Sequence, residues 1–148
     1  NHNMSWQQYV QAAQGLGFTK VTIINRTNYQ TLGYTSQADI ATAWKDGDTD
    51  VNENQELLDD WTDKKKTSFC FYATKFNIIL RDDEEGTFVV CMKGQEVCVA
   101  RQFKTIWFIA YGKSKKKGKA NKDEKGFASA ADAFNKISKD IWDGLDEA

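Results

Sequence analysis

The chain has 148 residues, 41% of them hydrophobic and 28% charged, with 20 basic and 21 acidic side chains and a formal net charge of −1. That is the size of one domain, able to bury roughly 68–70% of its unfolded surface without a disulfide or metal staple. The balanced charge excludes a global pull toward nucleic acid or an anionic membrane, and no apolar run nears the roughly 20 residues of a membrane-spanning helix.

Asn1, His2 and Asn3 ahead of Met4 read as an expression scar, which leaves 4–148 as a single domain. From MSWQQYV onward, Trp6, Tyr9, Val10 and Ala13 recur at the spacing of one helix face. Gly15 and Gly17 end that helix. KVTIIN, 20–25, is β-branched and strand-like, 25–28 make a turn, and YQTLGY, 29–34, returns as a hairpin partner. Ser36 and Asp39 resemble a helix start, and Ile40, Ala41 and Trp44 give that helix a short apolar face until DGDTD, 46–50, breaks it. Asp50 and Glu53 resemble a second capping box, followed by Leu57, Leu58 and Trp61.

After Lys64, Lys65 and Lys66 the pattern turns to strands: FCFYA at 69–73, FNIIL at 76–80, FVVCM at 88–92, VCVARQF at 97–103 and TIWFIAY at 105–111. The last is the most apolar and is expected to be central. Their connections, including the acidic turn at 82–86, span a few residues, so the sheet is antiparallel. A lysine-rich loop covers 112–126. Ser129 with Asp132 then caps a final helix whose Ala130, Phe134, Ile137 and Ile141 share a face. The order predicts an α+β fold of three layers, α/β/α. A central antiparallel sheet of about five to seven strands carries the two terminal helices on one face and the short helices on the other.

Catalytic chemistry is poorly supplied. The one histidine is His2, so neither a Ser–His nor a Cys–His pair can form. The carboxylates fall in turns and at helix ends, where capping and solvation explain them. Asp46, Asp48 and Asp50 take positions 1, 3 and 5 of a calcium loop, but the sixth position lacks glycine and the twelfth is Leu57, so no EF-hand is present. Cys70, Cys91 and Cys98 show no metal-site spacing and read as buried free thiols of a reducing compartment. No enzyme, metal or cofactor is expected. The lysine run reads first as a solvated loop. Lys115, Lys116 and Lys117 could alternatively meet an acidic protein or phosphoinositides. No aromatics interleave with the lysines, so a stacking nucleic-acid site is not expected.

Several stretches resemble profilins. MSWQQYV is similar to their opening Ser-Trp-x-x-Tyr-Val helix, TKFNIILRDDEEG to a strand leading into an acidic turn, and MKGQEVCVARQFKTIWFIAYG to a Lys-Gly hairpin and the apolar strand after it. The order and spacing hold over nearly the whole of 4–145. The resemblance implies a cytoplasmic, cytoskeletal protein. It would bind monomeric actin on one surface and proline-rich partners, such as formin-type elongation factors, on another. For the proline groove it implies Trp6, Tyr9, Leu32, Ile141 and Trp142. Leu32 falls where the family usually has a second Trp, and the C-terminus lacks the usual aromatic, so weakened proline binding is expected. For actin it implies Lys75, Asn77, Lys93, Arg101, Lys125 and Gly126. The competing expectation is a PAS-like or longin-like sensor or scaffold domain, with TIWFIAY and the cysteines lining a small-ligand pocket.

Overall fold

The computed structural model describes residues 4–36, 40, 42–115 and 126–145. Helix α1, Trp6–Leu16, starts at Ser5, whose Oγ accepts the Gln8 N–H while the Gln8 side chain accepts the Ser5 N–H. This reciprocal box satisfies two of the donors that a helix start leaves open. The helix ends at Gly17. Strands β1 (Lys20–Asn25) and β2 (Thr31–Tyr34) come next, then a separate hairpin of β3 (Ala43–Asp46) and β4 (Thr49–Asn52), then helix α2 (Glu53–Asp60). Strands β5 (Ser68–Phe71), β6 (Thr74–Arg81), β7 (Phe88–Lys93), β8 (Glu96–Gln102) and β9 (Ile106–Lys113) precede helix α3 (Ala130–Asp140) and a 3-10 turn at Trp142–Leu145. Seven strands form one antiparallel sheet in the order β2-β1-β9-β8-β7-β6-β5.

Strand β9 shows how the layers form. Ile106, Phe108 and Ala110 join a core with Val10 and Ala13 of α1 and Ala133 and Ile137 of α3. Trp107, Ile109 and Tyr111 point the other way, into a core with Leu57 and Trp61. The strand is apolar at nearly every position because both its faces are covered. The terminal helices share one face and α2 covers the other, so the three layers stand as the sequence implies.

Some local expectations fail. Of the helix read from Ser36 to Trp44, residues 37–39 and 41 lie outside the described residues. Ala43–Asp46 is strand, with Trp44 paired to Val51. DGDTD does not break a helix; it supplies a hairpin turn, with Gly47 at φ 62. The second face therefore carries one short helix among the described residues. Its cap is Asn52, which accepts the Gln55 N–H, rather than Asp50. Strand β5 stops at Phe71 because Tyr72 and Ala73, at φ 53 and 57, make the turn into β6. Gly112 and Lys113 belong to β9 rather than to the lysine loop.

Candidate protein-binding surfaces

Helix α1 crosses β2 closely at Gly33. A Cβ there would lie 3.0 Å from Val10 Cγ2 and 3.1 Å from the Trp6 carbonyl oxygen, so glycine is what lets the helix sit down on the strand. Trp6 and Tyr9, with ring centroids 5.8 Å apart, are half-buried, as is Leu32 beside them. Gln7 grips the strand edge with both ends of its amide. Its Nε2 donates to the Tyr34 carbonyl at 3.0 Å, and its Oε1 accepts the Tyr34 N–H at 3.3 Å. Ile141 and Trp142 do not line this surface. Ile141 is buried and Trp142 is 0% exposed, its ring edge-on to Phe103, Phe108 and Phe134. The 3-10 turn carries Trp142 into the core, where an indole of that size gains more than at an acidic chain end.

The cationic candidates are dispersed. Phe76 of β6 faces the α2 core, so Lys75 and Asn77 take the opposite face of the strand; both are exposed, and Lys75 borders an open recess with Gln55, Glu56 and Asp60 of α2. Arg101 shares that face with Val99 but is half-buried, its guanidinium 4.7 Å over Phe103 and 3.8 Å from Asp143. Lys93 is exposed at the β7–β8 turn. It alternates with Met92, which packs toward the terminal helices, so it leans to the opposite side. Gly126 has a structural reason to be glycine: φ is 140, and a Cβ would stand 2.4 Å from the Lys113 carbonyl oxygen. That approach lets the Phe127 N–H donate to Lys113 at 2.8 Å. Lys115 is exposed. Lys116, Lys117 and Lys125 lie outside the described residues.

Sequence reasoning missed the clamp between α2 and the outermost strand β5. Glu56 Oε1 accepts the Cys70 N–H at 2.6 Å, and Lys66 bridges Glu56 and Asp60 at 3.3 and 2.9 Å. Glu53 is buried. Its Oε1 accepts the Tyr72 N–H at 3.0 Å, and its Oε2 accepts the Ala73 N–H at 2.8 Å and the Trp44 indole N–H at 2.7 Å. Two successive left-handed residues aim adjacent N–H groups at one carboxylate, a small anion nest. Burial raises the Glu53 carboxyl above its ordinary 4.5, and the three hydrogen bonds pull the other way. A carboxylate three residues before another, Glu53 and Glu56, was the available signal, but in the sequence it reads as ordinary helix-start acidity.

The other buried groups favour inertness. The three cysteines are free and buried; burial pushes Cys70 up to about 11 and Cys91 to about 12, and raises Cys98 well above its ordinary value. Thiols held protonated in this way are poor nucleophiles and ligands. A recess lined by Thr22, Ile24, Leu57, Phe71 and Ile109 has about 30 Å³, room for about one water. That recess does not accommodate a chromophore or metabolite; two larger recesses, of about 380 and 410 Å³, are open at the surface and touch Cys70 and Tyr111. Among the described residues, no group of three or more His, Cys, Asp or Glu side chains could hold a metal, and no helix is long and apolar enough to cross a membrane.

One antiparallel sheet lies between the paired terminal helices and the short clamping helix α2, a three-layer α/β/α arrangement. A sequence model of the profilin family matches residues 4–132, and the chain belongs to that family. Its likeness to solved profilins is one of fold. Profilin IA of Acanthamoeba castellanii is 15% identical, with a TM-score of 0.60 over 95% of this chain and 100% of that one. The Schizosaccharomyces pombe profilin is 15% identical, with a TM-score of 0.62 over 95% and 99%. Rat profilin 2a is 14% identical, with a TM-score of 0.54 over 95% and 96%. No curated protein matches the sequence. The family is one of non-enzymatic actin-binding regulators, and membership sets aside the sensor-domain alternative.

Proposed function

We propose that this protein binds monomeric actin through the β6 face and the start of α3, and proline-rich segments weakly beside α1. The observation that carries the reading is the profilin match over 4–132, together with a β6 face that presents Lys75 and Asn77 to solvent. A lysine on such a face speeds encounter with an acidic partner and orients it. Gly126 and its neighbour Lys125, outside the described residues, would add contacts ahead of α3. Lys93, at the turn, serves steering better than contact, and Arg101, held between Phe103 and Asp143, serves to shape the surface.

The proline site is reduced to Trp6, Tyr9 and Leu32. The half-exposed Trp6–Tyr9 pair offers ring faces to a polyproline II helix, whose preformed shape limits the ordering cost. With Ile141 and Trp142 in the core, one wall of the groove is missing, and the affinity is expected to be weak. The protein would act in the cytoplasm, holding monomers from spontaneous nucleation.

The test is sedimentation velocity of fluorescent monomeric actin, titrated with the protein under non-polymerising conditions. A faster one-to-one species that is weakened by Lys75→Glu is the expected result. No shift at high protein concentration, with several actins tried, would refute the reading.

A further inference from the structure

The hairpin of β3 and β4 stands apart from the seven-stranded sheet, and one of its edges is open. Its two-residue turn, Gly47 and Asp48, joins Asp46 to Thr49, and the Glu53 N–H donates to the Thr42 carbonyl at 2.6 Å. In an antiparallel ladder, bonded pairs alternate with unbonded ones. The bonded pairs here are therefore Thr42/Glu53, Trp44/Val51 and Asp46/Thr49. Asp50, opposite Lys45, and Asn52, opposite Ala43, are the unbonded ones, so their N–H groups point away from β3. Among the described residues the Asp50 N–H and C=O meet no partner.

An open recess of about 380 Å³ lies beside that edge, within the roughly 300–1,000 Å³ of ordinary ligand clefts. It meets all four residues of β4 but only Asp46 of β3, so it runs along the outer edge of β4. Across from β4 it meets α2 and β5. The β5 edge is closed to pairing, because Glu56 takes the Cys70 N–H at 2.6 Å. The β4 edge has no such device.

The recess carries four carboxylates, Asp46, Asp50, Glu56 and Asp60, against two ammonium groups, Lys66 and Lys75. Lys66 is already engaged by Glu56 and Asp60, at 3.3 and 2.9 Å. Asp50 has an exposed Lys45 at 3.8 Å, a pair that solvent screens to little. Charge at a strand edge ordinarily protects it. Charge of one sign protects selectively: it repels a strand of like sign, such as the same edge of a second copy, and attracts a strand of opposite sign.

We propose that this cleft takes an extended, lysine- or arginine-bearing segment of a partner protein, added to the hairpin as a third strand along β4. The backbone groups of Asp50 and Asn52 pair with the segment, and its basic side chains meet the carboxylates on both sides of the cleft. Strand addition of this kind draws affinity from main-chain bonds and specificity from alternate side chains. The inference does not rest on the actin reading. Lys75, which that reading uses, borders the same recess and opposes a basic segment, so the two occupants respond in opposite ways to its charge.

The experiment is fluorescence anisotropy of a labelled octapeptide of alternating lysine and threonine, titrated with the whole protein. A glutamate–threonine octapeptide and the lysine peptide N-methylated at every amide are the comparison probes. The protein variants are D46N/D50N, Asp50→Pro and Lys75→Glu. Proline at 50 removes an N–H that the β3 ladder does not use, a position where an edge strand tolerates it. Binding of the lysine peptide and none of the glutamate peptide is expected. N-methylation, D46N/D50N and Asp50→Pro should each weaken it about tenfold or more, and Lys75→Glu should not weaken it. Thermal unfolding checks that Asp50→Pro is folded; if it is not, the N-methylated peptide on the wild-type protein decides. No binding of the lysine peptide overturns the proposal. Equal binding of the N-methylated peptide also overturns it, since charge alone would then hold the segment. A wild-type self-association that disappears in Asp50→Pro would make a second copy the occupant and overturn it as well.

Discussion

Replacing Glu53 with alanine is expected to lower the free energy of unfolding by about 3–5 kcal/mol. Three donors converge on this carboxylate: the Trp44 indole and the Tyr72 and Ala73 backbone N–H groups, all within 3.0 Å. A buried donor left without an acceptor costs about 1–3 kcal/mol. Ala73 is exposed, so its N–H can recover a water, whereas Tyr72 and Trp44 are half-buried and recover less. Two costly donors and one cheap one give the stated sum, a large fraction of the roughly 5–15 kcal/mol that stabilises a domain. Glu53→Gln is milder, about 1–2 kcal/mol, because one amide oxygen can serve two of the donors while the amide NH₂ faces the third. The assay is urea unfolding followed by tryptophan fluorescence. A Glu53→Ala loss under about 0.5 kcal/mol would refute the account. The pH dependence has a definite sign. Burial raises the folded carboxyl above 4.5, so its contribution is fully present below the unfolded value and is lost as pH rises through the folded one. The stability advantage of wild type over Glu53→Gln should therefore shrink from acid toward neutral pH. An advantage that grows would show that the hydrogen bonds outweigh desolvation.

Two further outcomes are expected. Ala73→Gly should stabilise by about 0.5–1 kcal/mol, since an L-residue at φ 57 is strained and this exposed methyl loses little packing; unchanged or lower stability in urea unfolding would contradict that strain. Trp142→Ala should cost about 3–5 kcal/mol, as a core aromatic does, and a stable variant that lost only proline-peptide binding would instead restore Trp142 to the surface.

The layers were legible because they depend on periodicity. β1 and β9 announce themselves through β-branched and apolar runs, the first helix through the spacing of Trp6, Tyr9, Val10 and Ala13, and the last through its Ser129 cap, and these elements build the core. The region from Ser36 to Asn52 was not legible. Trp44 reads as the apolar face of a helix, yet its indole is spent on Glu53, a contact that exists only once α2 has closed over the β5–β6 turn. Trp142 failed for a related reason. An aromatic near an acidic chain end resembles a ligand-binding residue until the turn that swings it inward is known, and that turn packs Trp142 on Phe103 of the β8–β9 connection, Phe108 of β9 and Phe134 of α3. The FNIIL run did carry a signal: three successive apolar residues cannot all point inward from one strand. Nothing local said that a bulge between Ile78 and Leu80 would turn the last two out together.

The sheet has two free margins, and each is closed by side chains rather than by another strand. At β2, the Gln7 amide occupies the hydrogen-bonding groups of Tyr34. At β5, Glu56 and Glu53 take the N–H groups of Cys70, Tyr72 and Ala73. Both devices deny pairing to a stray strand, which is how open sheets avoid aggregation. They stop short of Ile79, because β5 is only four residues long and its ladder with β6 ends at Ser68↔Asn77. Ile79 and Leu80 stay exposed on β6, where neither device reaches. Glu53 acts on that strand as well as on stability: it fixes the turn from which β6 departs. Loosening the turn should shift Lys75 and weaken partner binding more than the loss of fold alone would predict.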